Sequence, residues 1–220
     1  MRYPENDLIK REPAMHDMQY EEISTALDKD MRERLSRGCD AAVLVPLLHT
    51  SRGLEVLFEV RSNTLEVQPG EVCFPGGALE AGESALQAAV RETCEELLID
   101  AGQIRVLGDL GLVGGLGDYR VRAFVGALDE YTGTFSTDEV QDVHTVELAW
   151  FMDHAPAVYK TNLVADAPDD FPWHLVPGGK GYRFRPQVRE TCFYLESNPL
   201  IWGFTARVMA TLTDVLKSSS

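Results

Sequence analysis

Between Gly70 and Asp100 the chain reads GEVCFPGGALEAGESALQAAVRETCEELLID, and no other segment restricts its folding so tightly. Ser84 followed three residues later by Gln87 is the signature of a capping box, and the alanine-rich stretch behind it has high helix propensity. The spacing predicts a helix over Ala85–Leu98. On it Glu92, Glu95 and Glu96 stand at i, i+3 and i+4, so their carboxylates share one face within an arc of about 100°. An acidic run is ordinarily a solvated helix face. This one works against its own helix. Glu92 and Glu96 form a like-charge i,i+4 pair, which costs roughly a few tenths of a kcal/mol, and acids near a helix C-terminus oppose the macrodipole. A local choice made against the helix points to function. Clustered hard oxygen ligands suit magnesium or manganese, which share their remaining positions with phosphate oxygens. Just upstream, Phe74-Pro75-Gly76-Gly77 ends a short strand and opens a loop into the helix. Paired glycines alone read as a tight turn. Beside three carboxylates they also let a backbone approach a diphosphate closely.

Charge limits what such a site can meet. With 20 Lys+Arg against 35 Asp+Glu the formal net charge is −15, and such a surface repels nucleic-acid backbones and anionic lipid. Neither nucleic acid nor membrane is expected as a partner. A phosphorylated small molecule still fits if the carboxylates first hold cations that reverse the local field. Hydrophobic residues at 45% and charged ones at 25% give a soluble globular balance with enough apolar side chain for a core. Cys39, Cys73, Cys94 and Cys192 are widely spaced, without C-x-x-C or a Cys/His cluster, and read as reduced thiols. The polar N-terminus and the lack of an apolar run near the ~20 residues of a membrane span point to the cytoplasm.

Along the chain, residues 1–37 read as an N-terminal arm, Met1–His16, followed by a helix over Tyr20–Leu35 that packs on the core. Residues 38–217 read as one domain, and 218–220 as a frayed tail. Ala41–Leu48 and Leu54–Val60 read as a hairpin, with Pro46 placing its strand at an edge or a bulge. Further strands are expected at Ile104–Leu112, Tyr119–Leu128 and Val146–Phe151, and as a pair from Tyr182–Arg185 with Thr191–Leu195. Asp153–Gly181 reads as an irregular excursion, and Trp202–Leu216 as a C-terminal helix. Strands mixed with three strong helices indicate an α+β fold.

The run Gly77, Glu83, Arg91, Glu92, Glu95, Glu96 and Ile99 resembles the Nudix box, G-x5-E-x7-R-E-U-x-E-E-x-G-U, with U a bulky aliphatic residue. Seven of its nine defined positions match; Thr93 replaces an aliphatic residue and Leu98 a glycine. Both departures bear on geometry after or within the helix rather than on charged groups. The element before the box, LFEVRSNTLEVQPGEVCFPGG, is similar to that of coenzyme A pyrophosphatases, L-L-T-x-R-S-x3-R-x3-G-x3-F-P-G-G, at Arg61, Ser62, Gly70, Phe74, Pro75, Gly76 and Gly77. Glu66 stands where that pattern has its second arginine. Asp138-Glu139-Val140 and Ile201–Ala206 also look like that subfamily.

The resemblance implies an α/β/α sandwich around a mixed sheet and hydrolysis of a nucleoside diphosphate linked to another moiety. Glu92, Glu96 and Glu95 would hold Mg2+ or Mn2+. Arg91 would orient a carboxylate, with Glu83 the candidate. The general base stays open between Glu95 and the loop carboxylate Glu139. Arg61, Ser62, Gly76 and Gly77 would meet the substrate. Arg120 and Arg122 are either phosphate contacts or a solvent-exposed basic face. His16, His49, His144, His154 and His174 lack metal-ligand spacing and read as structural or surface residues. Three readings follow: a coenzyme A or acyl-coenzyme A pyrophosphatase; a Nudix pyrophosphatase acting on ADP-ribose, dinucleotides or nucleoside triphosphates, which Glu66 favours; and a non-catalytic nucleotide sensor, against which the intact acidic triplet argues. A homodimer, with contacts from the N-terminal helix or the Asp153–Gly181 excursion, is compatible with each.

Overall fold

A computed structural model describes residues 20–30, 39–114 and 119–218 of the chain. The expected arm over Met1–His16, the continuation of the first helix from 31 to 35, and residues 219–220 of the tail lie outside the described residues. Ser218 closes the last helix.

Strands β1 (Ala41–Thr50), β2 (Gly53–Arg61), β3 (Val72–Cys73), β4 (Gly76–Ala78), β5 (Ile104–Gly114), β6 (Val121–Leu128) and β7 (Val140–Glu147) form one mixed sheet. β1 is its central member, parallel to β6 and antiparallel to β2 and β4. Its unbroken apolar run is what a strand covered on both faces requires. Ala42 and Leu44 meet Ala88, Ala89 and Leu97 of helix α2 (Ala85–Leu97) on one face. Val45 and Leu47 point the other way, into a core shared with α1 (Tyr20–Asp30), α3 (Leu148–Asp153) and α4 (Gly203–Ser218). Helices thus cover both faces of a mixed sheet, the expected α+β fold in an α/β/α arrangement. In α1, Ile23 is fully buried and Ser24 Oγ donates to the Leu107 carbonyl at 2.9 Å, so this helix packs on the core.

Three expectations are corrected. Pro46 lies in the central strand, not at an edge. β1 pairs with β4 through Val43 and with β2 from Leu47 onward, and the missing N–H faces the gap between these two partners. Leu44 N–H, on the same side, donates to the Pro75 carbonyl at 3.0 Å. Val146–Phe151 is not one strand: β7 ends at Glu147, and Leu148 and Phe151 are buried at i,i+3 spacing on α3. A helical turn buries both, whereas a strand would direct them to opposite faces. Tyr182–Arg185 is not the partner of the Thr191 strand. That strand, β9 (Gln187–Tyr194), pairs with β8 (Ala157–Leu163) inside the supposed irregular excursion, and β10 (Ile201–Trp202) completes a second, three-stranded sheet.

Helix α2 begins as its sequence dictates. Ser84 Oγ accepts from Gln87 N–H at 3.3 Å and Gln87 Oε1 accepts from Ser84 N–H at 3.0 Å. The two departures from the box also find their places. Thr93 is fully buried and its hydroxyl donates to the Ala89 carbonyl at 2.6 Å, so no polar atom is orphaned. Leu98 itself takes the left-handed C-cap conformation, φ 53° and ψ 50°, which costs a residue with a Cβ about 1–2 kcal/mol. Because the Leu98 side chain is 58% exposed, Leu98→Gly is expected to stabilise the fold by about 1 kcal/mol, read as a higher urea midpoint with unchanged slope. Gly76 has the opposite constraint, since a Cβ there would run into the Ala42 carbonyl and approach Val43 Cα to 2.6 Å. Gly76→Ala is expected to destabilise by about 1–3 kcal/mol in the same assay.

Candidate active site

The site forms where the β4 loop meets the C-terminal half of α2. Glu92, Glu96 and Glu139 each bring a carboxylate oxygen within 4.8 Å of the others. Two of the three lie one helical turn apart, and the third arrives from the loop before β7. That loop hangs from the end of α2: Ser136 N–H donates to the Glu96 carbonyl at 2.7 Å and Thr134 Oγ1 to the Leu97 carbonyl at 2.7 Å. The last carbonyls of a helix lack intrahelical partners, and here they suspend Glu139. Ser62 N–H holds the Glu139 carbonyl from the other side at 2.8 Å.

Gly76 N–H donates to Glu96 Oε2 at 2.8 Å, so its amide is committed to the carboxylate rather than presented to a substrate. Gly77 lies so close to α2 that a Cβ would collide with the Glu92 carboxylate. Arg91 braces the outer edge. Its Nε and Nη2 grip Glu83 at 3.0 and 3.1 Å, Nη1 donates to Glu92 at 2.9 Å and to Glu95 at 3.2 Å, and Nη2 also reaches the Ala78 carbonyl at 3.2 Å. This fork holds the Glu83 carboxyl below the usual carboxylate range and the Arg91 guanidinium above its own.

Of the three acids expected as metal ligands, Glu92 and Glu96 meet and Glu95 does not. Successive helical residues turn by about 100°, so Glu95 and Glu96 diverge: Glu96 is buried against the sheet, and Glu95 is exposed and turned to Arg91. Glu139 takes the third place. Ser62 is buried, with its hydroxyl bonded to Thr64 Oγ1 at 2.9 Å, and positions the Glu139 loop through its backbone. Arg61 donates from Nε to the Val67 carbonyl at 3.2 Å and its charge favours the ionised form of Glu96. Arg122 is committed to Asp109 at 2.9 Å and Arg120 lies 3.6 Å from Asp40, so the two basic residues of β6 and its entry already have acidic partners. Among the described residues, His49, His144, His154 and His174 stand outside the carboxylate cluster.

The sequence reading missed Glu59. It is 1% exposed in β2, and its carboxyl is held well above the usual range by burial and then by the Glu96 charge. Burial also raises the Glu96 carboxyl, opposed by the Gly76 N–H and reinforced by Glu92 and Glu139, and raises Glu92. Burial followed by the charges of Glu59 and Glu96 pushes the Cys73 thiol up, leaving it an inert packing group. The oxygen-only donor set and its unbalanced charge fit a hard divalent cation. A carboxyl raised in the folded state contributes stability that is complete below its ordinary pKa near 4.5 and is lost as pH rises through the folded value. The metal-free protein is therefore expected to melt lower at about pH 8 than at about pH 5.5, with Glu96→Gln flattening that slope. Magnesium is expected to raise the melting temperature more at the higher pH, where its ligands are ionised.

The NUDIX domain model matches residues 40–173. The chain is 36% identical over 135 residues to the mouse peroxisomal coenzyme A diphosphatase NUDT7, covering 60% of this chain and 56% of that protein. It is 37% identical over 125 residues to the peroxisomal coenzyme A diphosphatase ndx-8 of Caenorhabditis elegans, covering 52% and 51%. Nudix hydrolase 3 of the same organism is 34% identical over 169 residues, covering 74% of this chain and 68% of that protein. The match thus spans little more than half the length of either coenzyme A diphosphatase. Since the matched segment takes in the β1–β2 hairpin, the glycine loop, the acidic face of α2 and the loop that suspends Glu139, this chain belongs to the NUDIX domain family.

Proposed function

We propose that this protein is a divalent-metal-dependent pyrophosphohydrolase acting on a nucleoside diphosphate linked to a second moiety, with coenzyme A or an acyl-coenzyme A as substrate. Water and the diphosphate would give adenosine 3′,5′-bisphosphate and phosphopantetheine. The observation that carries the reading is the convergence of Glu92, Glu96 and Glu139 within 4.8 Å beside the Gly76–Gly77 backbone. Mg2+ or Mn2+ held by these three carboxylates would polarise phosphoryl oxygens and lower the pKa of a bound water. The protein's own work is to fix that donor set. Gly76 N–H orients Glu96, Arg91 clamps Glu92 through a guanidinium also anchored on Glu83, and the α2 carbonyls hold the loop of Glu139. Glu139 stands with the metal-facing pair, while Glu95 is turned to Arg91, so Glu139 is better placed to take the proton of an attacking water.

Coenzyme A as the substrate is supported by the two coenzyme A diphosphatases among the relatives and by the matching element from Arg61 to Gly77. A second reading keeps the reaction and replaces the substrate by ADP-ribose, a dinucleotide or a nucleoside triphosphate. Glu66, exposed on the loop after β2, favours it by placing an acid where the resembling pattern has an arginine. Product analysis with magnesium or manganese, offering coenzyme A, ADP-ribose and a nucleoside triphosphate in parallel, separates the readings. The expected result is bisphosphate and phosphopantetheine from coenzyme A, with Glu96→Gln lowering kcat/KM at least about 100-fold, equivalent to about 3 kcal/mol of transition-state stabilisation. Intact coenzyme A beside a cleaved alternative would overturn the substrate. No turnover of any of them would leave the non-catalytic sensor.

A further inference from the structure

Glu59 has no place in the three-carboxylate arrangement, yet it is the most deeply buried acid beside it. It sits in β2 between Cys73 of β3 and Val143 of β7. Strand alternation fixes its direction: Val56 and Phe58 join the core under α1, α3 and α4, whereas Leu57 packs with Ala88, Ala89 and Leu97 of α2. Two residues beyond Leu57, Glu59 faces the α2 side, where Glu96 is buried. Its Oε1 is buried without a hydrogen-bond partner, which is unfavourable for a polar oxygen shut away from water.

Countercharge there is scarce. Arg91 is spent on Glu83, Glu92 and Glu95, which leaves Arg61 as the cation acting on Glu59 and Glu96. Glu59, Glu92, Glu96 and Glu139 together carry four formal negative charges when ionised. One divalent cation on the Glu92, Glu96 and Glu139 oxygens would balance half of that charge, and Glu59 Oε1, without a hydrogen-bond partner, is a further hard donor on the sheet side.

We propose that Glu59 is a metal ligand of this site, supplying the oxygen that lets it take a second divalent cation beside Glu96. The proposal rests on the metal-dependent reading above and goes beyond it in assigning a residue outside the box and a stoichiometry. Manganese binding to the full-length protein, followed by calorimetry and by electron paramagnetic resonance of the bound ion, tests it without turnover. The wild type is expected to bind two Mn2+ per chain with a spin-coupled signal. Glu59→Gln is expected to bind one with first-site affinity within about threefold, to lose the coupled signal, and to melt no lower than wild type without metal. Glu59→Asp, which keeps the charge but withdraws the carboxylate by one methylene, is expected to weaken the second site about tenfold or more, and it carries the test should Glu59→Gln fail to fold. Unchanged stoichiometry and affinities in these variants would overturn the role of Glu59 and leave the hydrolase reading standing. A wild type that binds no Mn2+ would overturn both.

Discussion

Strand β4 lies as close to β1 on one side and to helix α2 on the other as it does because two consecutive residues in it have no side chain. Gly76 fits against the Ala42 carbonyl of β1, and Gly77 fits against the carboxylate of Glu92. From that contact follow the pairing of β4 with β1, the reach of the Gly76 amide to Glu96, and the burial of Glu96 between helix and sheet. A methyl group at Gly76 would push β4 from β1, and one at Gly77 would push the Glu92 carboxylate outward. The proposed catalytic donor set is thus a consequence of backbone packing as much as of side-chain identity.

Two independent braces then stop the acids from relieving their repulsion by moving apart. Arg91 holds the outer edge through Glu83, Glu92 and Glu95, and the unsatisfied carbonyls at the end of α2 hold the loop before β7, which would otherwise swing Glu139 away. Both use groups a helix provides at fixed spacing: an i,i+4 side-chain pair and its orphan C-terminal carbonyls. Carboxylates fixed in this way keep their mutual repulsion in the folded state. A divalent cation relieves it, so the binding of metal and the stability of the fold are one linked equilibrium.

What could be read from the sequence was what is local. The capping box and the helix rest on neighbours within four residues, and each stands where the spacing placed it. Leu98 in a glycine position was visible as an anomaly, but not that Leu98 itself takes the left-handed C-cap conformation with its side chain in solvent. The relation of Glu95 to its neighbours failed for a different reason: helical spacing groups three acids on one face without saying which of them the sheet covers. Glu139 was recognisable only through resemblance, since its meeting with Glu92 and Glu96 depends on Ser136 and Thr134 binding backbone atoms far away in sequence. Glu59 was passed over, because an acid in LFEVR reads as the outward member of an alternating strand, and that strand proves to be covered on both faces. Pro46 misled similarly, as the gap it requires opens inside the sheet where β4 gives way to β2.

The charge of −15 gains meaning from this arrangement. A strongly acidic chain is a poor receptor for a diphosphate, and the candidate site makes the local field more negative still. The same feature makes the site selective in order of events. Without cations, the converging carboxylates of Glu92, Glu96 and Glu139 repel any phosphate; divalent cations held there would reverse the field at that one place while the rest of the surface stays acidic. A broad acidic surface opposes nucleic-acid backbones, and under the proposed reading a small diphosphate would meet these same charges only through metal ions. Arg61 is the half-buried cation that acts on Glu59 and Glu96, and its single charge falls short of these two carboxylates when both are ionised. That deficit is the physical reason to regard divalent metal as part of the folded site rather than as an addition to it.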